Sequence, residues 1–237
     1  MAIRLPPKSI MRSLYAVVAG LVGLHVTVQV VRFLTGDDRL FGLVYMFSLG
    51  AETNVPAFYA TFSLLFTALL LAAVGVASRG DPKAGMRYWF GLAAVFLFLS
   101  MDEMLGFHER LSEPLRSELG TSGLLYYAWV IPYGLGVLGL AAVYLRFLAR
   151  LPRQTTVRFI GAGILFVSGA IGAEMVGGVV SEQYGNANVA FVVIQTIEEV
   201  LEMVGILVFI AAILDYADRQ LDGLQLYLTS GSGVDAD

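Results

Sequence analysis

The sequence predicts an all-α protein, a polytopic membrane helical bundle with six transmembrane helices and both termini cytoplasmic. Hydrophobic residues make up 57% of the 237 residues and charged residues only 14%, unlike the usual composition of soluble domains. Six apolar runs each reach the roughly 20 residues that cross about 30 Å of hydrocarbon. Because these runs lack the alternation of barrel strands, helices are the structures that satisfy their backbone in lipid.

The predicted spans form a single domain over residues 1–220. They cover 10–34, 57–78, 88–108, 124–148, 157–180 and 189–214. The first run follows three basic residues, as a signal peptide does, but it is longer than the roughly 7–15 residues of a signal-peptide core and lacks an A-x-A site. We therefore interpret it as a retained signal anchor. Residues 221–237 are predicted to form a flexible acidic tail.

The basic residues predict the orientation in the membrane. Eleven of the 15 Lys and Arg residues precede the first span, lie between the second and third or fourth and fifth spans, or follow the sixth. Positive residues are retained on the cytoplasmic side of short loops, so both termini are expected there.

Two connecting segments have patterns of their own. The loop before the second span reads "RLFGLVYMFSLGAETNVPAFY", and its apolar piece of about ten residues is too short to span and suits an interfacial or re-entrant external lid. Residues 109–123 alternate in charge at helical spacing around Pro114, which predicts a short surface helix.

Composition excludes several classes of function. The chain has no cysteine, which excludes disulfides, thiolate metal sites, iron–sulfur clusters and cysteine nucleophiles. Any metal ion must therefore be held by oxygen and imidazole nitrogen. The net charge is −4 and no basic patch is present, so we expect no nucleic-acid partner.

Ionisable side chains lie inside the predicted spans, where they are costly. They are His25, Asp102, Glu103, Glu174, Glu198, Glu199 and Glu202. Each charge near the centre of a spanning helix costs roughly 2.5–3.5 kcal/mol, so six carboxylates would cost on the order of 15 kcal/mol together. No Lys or Arg lies at comparable depth. Protons or bound cations must therefore neutralise them.

The positions of these groups predict one site. With the expected orientation, four helices place polar residues in the outer half of the membrane. Residues three, four or seven apart share a helical face, which joins Asp102 with Glu109, and Gln195 with Glu198 and Glu202. Carboxylates with one or two imidazoles bind divalent metals in helical bundles. We expect one or two ions of iron, zinc or manganese, with Glu103, Glu174, Glu198 and Glu202 as the first ligand candidates, then Asp102, His108, Glu109 and Glu199, and Glu52 contributing from the lid.

Some of these residues also have simpler interpretations. Glu174 by itself is typical of a protonated, hydrogen-bonding carboxyl group, and the small residues around it indicate close helix packing. His25 is isolated on an apolar helix, which favours a packing role over ligation. The aromatic residues Tyr126, Tyr127, Trp129 and Tyr133 are typical of an interfacial belt, and no chemistry is assigned to them.

Four segments carry a resemblance: "AETNVP", "LSMDEMLGFHERL", "GAEMVGG" and "IEEVLEMVG". Together they resemble a family of bacterial and archaeal multipass membrane proteins without an assigned activity, whose motifs are E-x-N-x-P, DE-x4-HE and EE-x2-E. The resemblance covers most of residues 40–215 and implies a prokaryotic plasma membrane. It also implies that the polar residues belong to one site. After the first motif the family has Thr-Trp and serines, whereas this chain has Ala57 to Ala60.

The ligand types are also similar to those of membrane di-iron carboxylate proteins such as the alternative oxidases. The Glu-x-x-His pair of those proteins is absent here, because Glu103 and His108 are five apart. The similarity is therefore one of ligand type and not of motif.

Three functions remain open from the sequence. The first is a metal-dependent enzyme acting on a lipid-soluble substrate, such as a quinone or a membrane lipid, that enters laterally. The second is a proton or cation transporter that uses the acidic residues as a relay. The third is an accessory subunit that meets other membrane subunits of a larger complex.

Overall fold

The computed structural model describes residues 2–4, 7–80, 85–221 and 225–227, and almost all of them are helical. The helices are α1 (Pro7–Thr35), α2 (Leu43–Phe47), α3 (Val55–Ala77), α4 (Met86–Leu105), α5 (Phe107–Leu119), α6 (Val130–Leu148), α7 (Arg153–Val167), α8 (Glu174–Tyr184) and α9 (Val189–Gln220). Short 3₁₀ turns occur at Leu40–Gly42, Ser78–Gly80 and Gly123–Leu125, and a π-helical turn at Ser168–Ala173 joins α7 to α8. Strands β1 (Ala2–Arg4) and β2 (Gln225–Tyr227) pair antiparallel. Most of the tail predicted at 221–237 lies outside the described residues.

Five helical segments of the described chain are long and apolar enough to cross a membrane. They are α1, α3, α4, α6 and the continuous segment Arg153–Tyr184. This fits the predicted membrane protein. The region of the predicted sixth span is helical as part of α9, while its crossing of the membrane and the side of the termini stay predictions.

Two predicted span boundaries are wrong. The third span ends at Leu105 and not at 108, because Gly106 has a φ of 60° and stops the helix there. The fourth helix begins at Val130 and not at 124, since a 3₁₀ turn at Gly123–Leu125 and a further turn precede it. The first difference shortens the apolar helix at its C-terminal end, and the second shortens it at its N-terminal end.

Asparagine side chains start two of the long helices. Asn54 Oδ1 accepts the backbone N–H of Ala57 at 3.0 Å, and Asn188 Oδ1 accepts that of Phe191 at 2.9 Å. Such caps satisfy amides that have no partner inside the helix. The amide group of Asn54 also donates to the carbonyls of Tyr45 and Ser48, so the same residue fastens the preceding loop to α3.

Helix α9 is central to the bundle. It contacts α1, α3, α7 and α8, and α3 also packs along α4. Its C-terminal half is mostly apolar and buried, with Leu207, Ile210 and Ile213 having 0% exposure. At the same end the ring of Trp89 packs on Phe147 and Tyr216. This end of α9 therefore lies in the hydrophobic core.

The surface helix predicted in one of the two connecting segments is present. Helix α5 contains Pro114, has no buried residue and lies on the surface, as expected for 109–123. The loop before α3 contains only the five-residue helix α2, which is too short to span. Phe41 and Tyr45 in this loop are exposed, whereas Leu49 is buried. The apolar exposed residues suit a position at a membrane surface.

Candidate functional site

A cavity of about 1050 Å³ lies between α4, α6, α7 and α9, with the loop before α3 at one end. All nine residues predicted for the site contribute to its lining. They are Glu52, Asp102, Glu103, His108, Glu109, Glu174, Glu198, Glu199 and Glu202. Residues that are up to 150 positions apart in the sequence thus border the same space.

At the outer rim, Glu52, His108 and Glu109 form a compact group. Each offers one ligand atom, and these atoms all lie within 4.8 Å of one another. Gly106 makes the approach of the loop possible, because a Cβ on it would lie 2.8 Å from Oε2 of Glu52. A glycine with positive φ thus both ends α4 and leaves room for this carboxylate.

Asp102 orients His108. Its Oδ1 accepts the backbone N–H of His108 at 3.0 Å, and its Oδ2 lies 3.1 Å from Nδ1 of the ring. The hydroxyl of Tyr133 donates to Oδ1 at 2.9 Å. With Nδ1 bound to a carboxylate, Nε2 is the nitrogen left for a ligand, which is the arrangement of histidines that bind metals.

The expectation that Asp102 and Glu109 share a helical face is wrong. The helix is interrupted at Gly106, so the periodicity of α4 does not continue into α5. Asp102 instead accepts the first-turn amide of the new helix, that of His108, and Glu109 borders the same cavity. The spacing of seven was therefore no guide to their geometry.

The charges of the rim shift its pKa values. Burial raises the pKa of Glu52, and the negative charge of Glu109 raises it further. Burial lowers the pKa of His108, but the hydrogen bond and charge of Asp102, with the charges of Glu109 and Glu52, outweigh burial and leave that pKa raised. The shift of Glu52 therefore reflects mainly burial, whereas that of His108 reflects the negative charges around it.

A second group of carboxylates lies deeper in the cavity. The indole N–H of Trp129 donates to Oε1 of Glu174 at 2.9 Å. Glu198 on α9 lines the cavity together with Glu174. Glu199 and Glu202 lie beside this pair and also line the cavity.

The π-helical turn before Glu174 allows α7–α8 to approach α9. A Cβ on Gly169 in this turn would lie 2.6 Å from the backbone oxygen of Glu198. Single π turns within α-helices frequently occur at functional sites. The small residues around Glu174 therefore do indicate close packing, as predicted.

A model of a protein family described as a domain of unknown function (DUF8692) matches residues 10–217. The chain belongs to the DUF8692 family. No curated protein and no solved structure matches it significantly. The match covers the helices that form the cavity and is consistent with the resemblance to multipass proteins without an assigned activity. Neither the motifs of that resemblance nor the similarity to di-iron proteins is tested by it.

His25 is a structural residue of this DUF8692 domain. Its Nδ1 accepts the backbone N–H of Leu49 at 3.0 Å, and its Nε2 lies 2.9 Å from Oγ1 of Thr196. An accepting Nδ1 has no proton, so Nε2 carries it and donates to the hydroxyl. Both nitrogens are used, and His25 ties the lid to α1 and α9.

Two residues of the candidate site were missed from the sequence. Trp129 and Tyr133 were interpreted as an interfacial belt, yet each donates a hydrogen bond to a site carboxylate and lines the cavity. They are four apart at the start of α6 and so share one face. Their spacing of four residues at the start of a helix was the sequence signal that could have placed both side chains in the site. Gln195, expected on the face of Glu198 and Glu202, also lines the cavity and donates to the carbonyl of Gly50.

Proposed function

We propose that this protein is a six-helix integral membrane protein that binds a divalent metal ion near its outer face. The observation that carries the proposal is the compact group of Glu52, His108 and Glu109, whose ligand atoms lie within 4.8 Å of one another. Asp102 holds the imidazole of His108 in position for it. Iron, zinc and manganese are the metals that carboxylate and imidazole ligands suit.

The deeper carboxylates provide for a second ion. Glu103 lies within electrostatic range of both Glu52 and His108, and so connects the rim to the deeper group. Glu174, Glu198, Glu199 and Glu202 complete that group across α8 and α9. A divalent ion held by Glu174 and Glu198 would offset charge that is costly at this depth.

The same site suits an enzyme acting on a lipid-soluble substrate. A bound divalent ion would supply Lewis acidity and lower the pKa of a bound water. The chain would orient that chemistry through Asp102 and Tyr133 and accept protons at the remaining carboxylates. The apolar part of the cavity would bind the substrate.

The cavity favours a bound ion over a transport relay. A relay across the membrane requires ionisable groups toward both faces. Among the lining residues that the structure describes, those on the inner side of Glu202 are uncharged, including Ile206, Phe209 and Leu148. The acidic groups are thus confined to the outer part.

Two observations support a sixth span and termini on one side. Strands β1 and β2 come from opposite ends of the chain and pair with each other, which requires an even number of crossings between them. Asp215 near the end of α9 is paired with Arg158 of α7 and with Arg219, in a basic region suited to the cytoplasmic side.

Labelling of single cysteines tests this topology. The chain lacks cysteine, so a cysteine that replaces Ser9 or Ser122 shows on which side of the membrane that residue lies, by its reaction with an impermeant maleimide. We expect Ser122→Cys to be labelled from outside and Ser9→Cys only after permeabilisation, and the reverse would contradict the topology.

Elemental analysis of detergent-purified protein tests the metal site. We expect about one bound ion per chain or more, and its loss in Glu52→Gln and His108→Gln, because each removes a ligand. Glu113→Gln is the matched control, since Glu113 lies on the same surface helix as His108 but pairs with Arg116 away from the cavity. Metal-free wild-type protein with a normal helical spectrum would overturn the proposal.

A further inference from the structure

The cavity is longer than its acidic site needs. Its lining on α6 runs from Trp129 to Leu148, which is about 28 Å along the helix. The length of the cavity nearly equals the roughly 30 Å thickness of the hydrocarbon core of a bilayer. The acyl chains of one leaflet fill only about half of that thickness. Below the carboxylates the lining consists of apolar and aromatic side chains such as Phe96, Phe159 and Phe209. The space suits a lipid with a single apolar tail that is longer than the thickness of one leaflet.

The lower part of the cavity opens toward lipid between α6 and α7. These two helices are not packed against each other along their lengths. Three lining residues at this position remain well exposed, namely Val143 at 62%, Ile160 at 47% and Ile164 at 61%. In a bilayer this surface faces acyl chains, so a tail can enter sideways.

Glycines keep this part of the cavity open. Gly136 and Gly139 on α6 and Gly163 on α7 all border the cavity, and a Cβ on any of them would meet nothing within 4 Å. The space beside them is therefore empty of protein side chains. Gly134 and Gly161 have equally free surroundings but do not border the cavity.

The polar end of the cavity offers hydrogen-bond acceptors. Trp129, Tyr133 and His108 already direct their side-chain N–H, O–H and Nδ1 groups to Glu174 and Asp102. No side chain of the described residues donates to Glu103, Glu199 or Glu202, which border the cavity. A head group with hydroxyl donors would satisfy them, whereas an anionic head would meet like charges.

Aromatic rings surround the same end. The ring of Trp129 lies 4.8 Å from that of His108 and 5.0 Å from that of Tyr133, measured between centroids. Clusters of this kind favour a planar ring that can stack or meet them edge-on.

We propose that the cavity binds an uncharged lipid that has a hydroxyl-bearing ring as its head and one long apolar tail, which is the chemistry of a quinol. The head lies among Glu103, Glu199 and Trp129, and the tail passes Gly136 and Gly163. This deepens the proposed function, on whose acidic site the head rests, by naming the class of substrate.

Binding of a decyl-tailed hydroquinone to the purified protein in nanodiscs, under nitrogen, tests this. We expect Gly136→Leu and Gly163→Leu to weaken binding about tenfold or more, because leucine fills the space of the tail. The matched controls Gly134→Leu and Gly161→Leu should stay within about twofold of wild type. Decanoic acid, with a nine-carbon tail and an anionic head, should bind about tenfold more weakly or worse.

Metal content measured on the same samples separates the two proposals. Metal retained in Gly136→Leu with hydroquinone binding lost supports this inference and leaves the metal site standing. Hydroquinone binding to metal-free protein would overturn the metal proposal alone. Absent binding, equal binding of decanoic acid, or equal losses in lining and control variants would each overturn this inference alone.

Discussion

The carboxylate of Asp102 holds His108 twice, through the backbone N–H at 3.0 Å and through Nδ1 of the ring at 3.1 Å. The first bond starts a new helix immediately after Gly106, and the second orients the imidazole. One residue thus couples the break between α4 and α5 to the position of a candidate ligand.

Asp102→Asn is expected to weaken metal binding by about 10–100-fold, because carboxylates that orient a ligating histidine contribute at that level. In metal-free protein the pKa of His108 should also fall, since burial lowers it and the charge of Asp102 no longer opposes burial. Isothermal titration with Zn²⁺ measures the first effect, and NMR titration of the histidine ring measures the second. The chain has two histidines, and His25 is the internal reference. Unchanged affinity and an unchanged pKa would show that Asp102 does not position His108.

Gly106→Ala is expected to displace Glu52 and so to weaken metal binding by the group of Glu52, His108 and Glu109. Its φ of 60° costs an alanine about 1–2 kcal/mol, and the new Cβ would lie 2.8 Å from Oε2 of Glu52. Gly120→Ala is the matched control, because Gly120 ends α5 with a φ of 62° but has nothing within 4 Å. Both variants should lose similar thermal stability, and only Gly106→Ala should lose metal. Equal metal binding in the two variants would contradict the proposed role of Glu52.

Gly169→Ala is expected to separate α9 from the π turn. A Cβ there would lie 2.6 Å from the carbonyl oxygen of Glu198, and overpacking of this kind costs about 1–3 kcal/mol. Gly172 lies in the same turn with nothing within 4 Å, so Gly172→Ala should leave the melting temperature unchanged or slightly raised. Thermal unfolding in detergent followed by circular dichroism measures both. Matching melting temperatures would mean that the turn does not hold the two helices at this distance.

His25→Ala is expected to destabilise the fold while leaving the metal in place. It removes one buried and one partly buried hydrogen bond and leaves the amide of Leu49 without its acceptor, at a cost of about 1–3 kcal/mol. Thr27→Ala removes only a bond to its own helix, at Gly23, and should have a small effect. Chemical unfolding and elemental analysis of the folded protein give the two readouts. Loss of the metal from folded His25→Ala protein would make His25 a ligand after all.

The positions of the helices in this protein are largely determined by the local sequence. Runs of about 20 apolar residues are helical because lipid or a protein interior leaves the backbone no other partner, so the membrane character was predictable. The polar residues of four separate helices were also predicted as one group, and all nine candidates border the same cavity. Asp102, Glu174 and Glu198 lie in apolar helices, where protons, cations or polar partners must offset the cost of their charge. The break at Gly106 was not anticipated, since a single glycine near a helix end is compatible with continuation or termination.

The partners of each site residue were decided only by the tertiary structure. Helical spacing related Asp102 to Glu109, yet its contacts are with His108 and with Tyr133, 31 positions away. Trp129 has an ordinary interfacial setting in the sequence and acquires its role by meeting Glu174 across the bundle. The sequence by itself determined which groups must leave lipid, because the cost of burying a charge depends on residue type and depth. Which groups then meet depends on helix packing, on the π turn at Gly169 and on the glycines that hold the cavity open.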